Sequence, residues 1–356
     1  MRRRWPGILV VLATIVLVLA TLSVWVARQV LNTDDWVHTS TALIRNPAIQ
    51  QETAAYVGDQ IDQQAIEARI RTILPPRLSA LAPAAAGGVS ELAQRATLRA
   101  LQSGAFQQLW ETTNRAAHEQ LIKLVNGSGN AVVFDLRPML GKVAGKIGLG
   151  ADAVNSLPPD AGKVTIVKSD QLSTVRKAAK ALRGLAIVLV LLWLVLTAAA
   201  VWLSHEKRRT IVQVGVGILS AGLLVLVLRR LLGHVVVGSI TKGGASEPAA
   251  QATFDIGTSL MRQIAASVLA LGLITVLCAW LAGTGRRATR VRGWMGPTLR
   301  DQPGIAYTAA LVALLVLLVI GVIPGSGRII PILIYIALAV AGVAALRREA
   351  MNDVAT

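Results

Sequence analysis

His118 and Glu119, in the stretch HEQLI (118–122), set an imidazole beside a carboxylate on what reads as a helix. That pair opens the zinc-protease motif H-E-x-x-H, in which two histidines share one helix face and clamp a metal while the glutamate acts as base. Position 122 is Ile, so the second ligand is missing. Glu111 lies two helical turns earlier and faces a similar way, with Asn114 between them. Glu111, Asn114 and His118 are therefore the candidate site of this region, with a metal or acid–base role for the Glu111/His118 pair. The plainer expectation is a structural helix on whose flank His118 hydrogen-bonds Glu111 or Asn114. A helical wheel puts Phe106, Trp110, Ala117, Leu121 and Leu124 on the buried stripe. Glu111, Arg115 and Glu119 have the i, i+4, i+8 spacing of exposed ion pairs.

Other chemistry is scarce. The remaining histidines are His38, His205 and His234, and the single cysteine is Cys278. A multi-His metal centre would need ligands from distant segments, and a disulfide within the chain is excluded. His234 and Cys278 read as structural. No P-loop, G-x-S-x-G, Gly-rich nucleotide fingerprint or EF-hand loop is present, so no cofactor and no metal are expected. The formal net charge of +17 invites nucleic acid. Its carriers instead lie in short clusters beside apolar runs, which is how membrane topology is set, and nucleic-acid binding is not expected.

Those runs must position everything else. The chain of 356 residues is 54% hydrophobic and 15% charged, with mean hydropathy +0.58; a soluble domain carries about 25% charged residues. The reading is a mainly α membrane protein with six transmembrane helices: 7–27, 183–204, 210–230, 256–282, 305–323 and 329–346. The first run follows Arg2, Arg3 and Arg4 and lacks a small-residue cleavage site, so it reads as an uncleaved anchor rather than a signal peptide. Basic clusters then fall at the N-terminus (1–6), after the second span, in the loop 283–304 and in the C-terminus 347–356. The positive-inside rule accordingly predicts a multi-pass plasma-membrane protein with both termini cytoplasmic.

Residues 28–182 become an extracytoplasmic, mainly helical domain. Asn32-Thr33-Asp34-Asp35 supplies a cap and first-turn acids. Asn46-Pro47 starts a second helix, whose apolar stripe of Ile49, Val57, Ile61, Ile70 and Ile73 ends at Pro75-Pro76. Residues 79–88 read as an irregular linker, Ser90 as the cap of the next helix, and 105–125 as the helix carrying HEQLI. The segments 131–136 and 163–167 are short and β-branched, a two-stranded β element. With a helix at 139–147 between them they favour a parallel pair, an antiparallel ribbon being the alternative. Ser169 caps a helix that runs into the second span without a break.

Two further groups could bind something. Arg229, Arg230 and Arg262 fall near the outer ends of their spans, where arginine snorkels to headgroups or pairs with Glu247 or Asp255. Asp255 and Arg262 would share one helix face. The sharper expectation is a basic pocket for an anionic lipid. Gly217-x-x-x-Ala221 is a small-residue pair suited to close helix packing, within the bundle or in a homo-oligomer. Mid-depth acids and broken spans of the kind ion-coupled transporters use are not evident.

LNTDDWVHTSTALIRNPAIQ, WETTNRAAH, VVFDLRPML and SDQL follow one another before a set of apolar runs. In this the chain resembles a group of uncharacterised actinobacterial multi-span integral membrane proteins with an exported helical domain between the first and second spans. The resemblance covers most of the chain and implies that architecture, with no catalytic residue. In layout alone the chain is similar to mechanotransmitting ABC permeases, which usually have four spans. The expected function is a non-enzymatic envelope protein whose external domain binds a partner protein or membrane lipid. The alternative is a permease-type or transport-accessory subunit with a mechanically coupled ectodomain.

Overall fold

The computed structural model describes residues 5–61, 63–127, 132–135, 163–167 and 169–281, with single positions at 311, 336, 340 and 344. The expected helix 139–147, basic loop 283–304, spans 305–323 and 329–346 and tail 347–356 lie outside the described residues. The protein is mainly helical. Its elements in chain order are α1 (Trp5–Leu31), α2 (Thr33–Arg45), α3 (Pro47–Asp59), α4 (Gln63–Ile73), a 3-10 turn (Pro76–Leu81), α5 (Ala82–Gln102), α6 (Gly104–Val125), β1 (Val132–Asp135), β2 (Lys163–Val167), α7 (Ser169–Trp202), α8 (Lys207–Lys242), α9 (Glu247–Gly257) and α10 (Ser259–Leu281). Among the described residues four stretches are long and apolar enough to cross a membrane: Trp5–Leu31, Ser173–Trp202, Lys207–Lys242 and Ser259–Trp280. The chain divides into two compact units, one of residues 1–26, 182–230 and 260–356, the other of 27–181 and 231–259.

In the first unit α8 is the central described helix. Val214, Ile218 and Ala221 pack with Val10 and Leu17 of α1 and Ala200 of α7. Val225 joins Met261 and Ala265 of α10. Two opposite faces of α8 are cut back to glycine. Gly217 faces α1, where an added Cβ would collide with Thr14 Oγ1. Gly215 and Gly222 face α10, where the same Cβ would sit 2.7 Å from Val276 Cγ2 and 2.8 Å from Leu269 Cγ. Gly272 of α10 answers them, with the backbone nitrogen of Leu219 2.6 Å from its Cβ position. Small residues permit this approach because they carry no side-chain bulk to hold the two helix backbones apart. Arg208 closes the far end of α10 by donating to Ala279 O at 3.2 Å.

In the second unit local caps set the helices. The Asn32 side chain accepts from Asp35 N, and Asn46 accepts from the amides of Ala48 and Ile49 ahead of Pro47. The single apolar helix expected from Ile49 to Ile73 is two helices, broken between Asp59 and Gln63. Val57 and Ile73 are exposed, whereas α3 buries Gln50, Ala54 and Gly58. That face packs on α5, and its lack of bulk lets the backbones close: a Cβ on Gly58 would lie 3.3 Å from Gln94 Cβ. The expected linker over 79–88 is instead the end of the 3-10 turn and the first turns of α5, with Pro83 near the helix start. Ser90 is no cap: it lies inside α5 and its hydroxyl donates to Gly58 O at 2.8 Å. Gln50 is buried and its amide donates to Ile44 O at 2.8 Å and Leu101 O at 3.3 Å, carbonyls near the ends of α2 and α5. We expect Gln50→Ala to destabilise this unit by about 2 kcal/mol, because it strands buried acceptors; thermal unfolding of the full chain in detergent measures it.

β1 and β2 pair antiparallel, with Phe134 opposite Val164 and Asp135 opposite Lys163. The parallel pair favoured by the sequence is therefore replaced by a ribbon, which needs no crossover connection. α7 runs unbroken from Ser169 to Trp202, as the sequence indicates. The expected fourth span starting at 256 is interrupted: α9 ends at Gly257, Thr258 turns, and α10 begins at Ser259. Asp255 and Arg262 thus sit on different helices rather than on one face. α9 packs on α2 and α3, and Ser246 N at its start donates to Glu52 Oε2 at 3.1 Å.

Candidate functional site

The HEQLI helix, α6, packs on α2, and this pairing decides what His118 does. α2 begins two residues after α1 ends, so Val30, Thr33 and Trp36 cluster at the bend. His118 is 3% exposed, in the middle of the contact face rather than on its flank. Its Nε2 lies 3.1 Å from Val30 O and its Nδ1 3.0 Å from Thr33 Oγ1. A carbonyl can only accept, so Nε2 carries the proton, and the neutral ring accepts from the Thr33 hydroxyl through Nδ1. Trp36 stacks on the imidazole at 5.1 Å between centroids and 21° between planes. Burial pushes the His118 pKa below its ordinary value, against the opposing effects of the Val30 carbonyl and of Glu119.

The other two candidates have partners of their own. Asn114 Oδ1 accepts from Trp36 Nε1 at 3.1 Å, and its amide donates to Ser40 Oγ. Glu111 meets Arg45 at 3.5 Å. Arg115 reaches across to Asp34 at 2.7 Å, so the ion pairs run between helices instead of along α6. The wheel also misplaces Trp110, which is exposed, while Val125 is buried with Leu124. Three more ties hold the same bend: Arg28 Nε and Nη2 grip Asp35 at 3.0 and 3.3 Å, and Gln29 donates to Thr39 at 3.0 Å. The expected triad is thus brought onto one helix face, but Glu111 and Asn114 do not serve His118. Thr33 and Val30 do, and no short-range pattern in the sequence marks them.

Arg229 and Arg230 lie on α8 and Arg262 on α10. Arg230 and Arg262 are exposed and Arg229 is half-buried. None lines any of three clefts found among the described residues. Gly217 and Ala221 both face inward in the first unit, Gly217 on Thr14 and Ala221 fully buried. Among the described residues no group of three His, Cys, Asp or Glu is placed to hold a metal. A cleft of 1110 Å³ runs between Ile8, Val11, Leu12 and Ile15 of α1 and Glu206 and Arg209, just before and within the first turn of α8. The sequence does not announce it, because its two walls come from distant segments.

The architecture is that of a mainly helical protein with, among its described residues, four helices long and apolar enough to cross a membrane and a separately compact helical unit. No family model matches the chain, and no curated protein or solved structure is significantly similar to it.

Proposed function

We propose that the chain is a non-enzymatic multi-pass protein of the plasma membrane whose extracytoplasmic domain, residues 28–182, binds an envelope protein or membrane lipid. The observation that carries this reading is the compact polar unit built largely from the stretch between two membrane-length helices, α1 and α7. Its one cluster of chemically versatile side chains among the described residues, around His118, is spent on helix-to-helix bonds. Six spans with both termini cytoplasmic complete the proposal, supported by the basic clusters beside the apolar runs. So does membership of the actinobacterial group that the chain resembles, supported by the run of motifs from LNTDDWV to SDQL.

Crosslinking in native membranes followed by mass-spectrometric identification of captured proteins tests the reading. Envelope proteins crosslinked to residues of α2–α6 are the expected result. A stable cytoplasmic ATPase whose hydrolysis responds to ectodomain substitutions would replace it with the permease-subunit alternative. The arginines have a separate test. Native mass spectrometry should find less anionic phospholipid retained by a chain carrying Arg229→Ala, Arg230→Ala and Arg262→Ala, and equal retention would remove the lipid pocket.

A further inference from the structure

The second unit leaves a set of large apolar side chains uncovered where α4, the 3-10 turn and α5 meet. Ile73 at the end of α4 is 79% exposed, Leu81 of the 3-10 turn 56%, and Leu92 of α5 64%. Leu78 and Val89 are exposed beside them. α4 and the 3-10 turn both pack on α5, so these residues belong to one end of the unit. Along α5 the positions of Leu81, Ala85 and Leu92 form one stripe, turned away from the buried Ala82 and Ala86. Apolar groups gathered on a surface in this way mark an interaction site rather than a stray exposure.

The charges of the segment select the partner. From Ala68 to Ser90 the sequence ARIRTILPPRLSALAPAAAGGVS holds Arg69, Arg71 and Arg77 and no acid. All three arginines are exposed. The bordering acids are engaged on their own helices, Glu67 with Arg71 and Glu91 with Arg95. Arg69 and Arg77 are thus unmatched by any carboxylate within the segment. Apolar side chains that insert shallowly, flanked by guanidinium groups, fit the headgroup–acyl boundary of an anionic bilayer. A second copy of the chain fits worse, since a two-fold contact would set the same arginines against each other.

We infer that the α4–α5 end of this unit, centred on Ile73, Leu78, Leu81 and Leu92 and charged by Arg69, Arg71 and Arg77, docks on the anionic phospholipid surface of the protein's own membrane. The chain commits the unit to that surface rather than a foreign one, because a tether at each end, α1 and α7, raises its effective concentration. The inference rests on the reading of residues 28–182 as an extracytoplasmic domain and names one surface that domain binds.

The test uses the full chain with Cys278→Ala and Ile73→Cys, the new thiol carrying an environment-sensitive fluorophore. The protein is placed in nanodiscs of phosphatidylcholine alone or mixed with phosphatidylglycerol. Blue-shifted emission in the anionic discs is expected, quenched by nitroxide-labelled lipids in the same disc and weakened by salt. A label at Gln120→Cys, on exposed α6 surface, should stay water-like. Each of Arg69→Gln, Arg71→Gln and Arg77→Gln should weaken docking about fivefold. Water-like emission at position 73 in both lipids would overturn the inference. So would quenching only by lipids in added vesicles, or a shift that grows with protein concentration in detergent alone, which would reveal a second copy. Labelling of the Gln120→Cys thiol, which docking leaves in water, on whole cells by an impermeant maleimide separates the two levels. Protection from the outside reagent removes the extracytoplasmic reading itself, while outside labelling without the spectral shift removes only the docking.

Discussion

Gly272→Val should destabilise the first unit by about 3 kcal/mol, the upper end of the cost of overpacking. Its Cβ would sit 2.6 Å from the backbone nitrogen of Leu219 and 3.0 Å from Gly215 O. Neither atom belongs to a flexible side chain, so relief requires α8 and α10 to move apart. That separation also loosens Gly222, whose Cβ position lies 3.0 Å from Ala265 O. Gly222→Ala should therefore act in the same direction, more mildly. The control is Gly184→Ala in α7, where an added Cβ meets nothing within 4 Å among the described residues. Removing a helical glycine there should stabilise by about 0.5–1 kcal/mol. Thermal unfolding monitored by size exclusion in detergent reads all three, and equal midpoints for Gly272→Val and Gly184→Ala would show that α8 and α10 do not approach this closely.

His118→Ala should cost the second unit about 3 kcal/mol, combining a cavity with two stranded polar groups, Val30 O and Thr33 Oγ1. The same residue makes the unit acid-sensitive. Burial holds the folded pKa of His118 below its unfolded value. In the pH window between the two, the unfolded chain binds the extra proton and the folded chain does not. The stabilisation is thus complete above the ordinary histidine pKa of about 6.5 and is lost as pH falls through the folded value. The charges around it are Arg28 on α1, Asp34 and Asp35 on α2, and Arg115 and Glu119 on α6, of which Glu119 opposes the shift. Hydrogen exchange in α2 and α6 should accelerate on acidification in the wild type, and His118→Phe should flatten that response. If His118→Ala instead left exchange untouched and abolished an activity, the residue would be catalytic or metal-binding, and the clamp would be wrong.

What can be seen in the sequence is local. Asn32 and Asn46-Pro47 mark helix starts because a cap bonds to amides two or three residues on, and α7 is visible because its apolar run simply lengthens the helix that begins at Ser169. The misses are tertiary. Ser90 has the composition of a cap, yet its hydroxyl serves Gly58, 32 residues away. Ile73 counts towards a stripe on a wheel, but α3 packs through Ala54 and Gly58, whose smallness matters more than their hydropathy. A wheel puts His118 on a flank because it counts only α6's own apolar residues. Its actual face is chosen by polar groups of α2 and the last turn of α1. The small pair Gly217/Ala221 is visible by spacing, whereas Gly215, Gly222 and Gly272 form a contact only once two helices from different parts of the chain are set together.

The placement of α9 on α2 and α3 carries a consequence for the order of synthesis. The helices from α2 to α6 are complete when the ribosome has passed Val125, but α9 ends at Gly257. At about 5–20 residues per second, α2 and α3 wait on the order of ten seconds for the helix that covers them, while α7 and α8 are still being made. During that interval Glu52 lacks the Ser246 amide it finally receives, and the faces that will hold α9 stand open to water and to whatever assists chains in transit. A truncation after α7 would freeze this waiting state, making the half-covered unit a target for proteases that the finished protein resists.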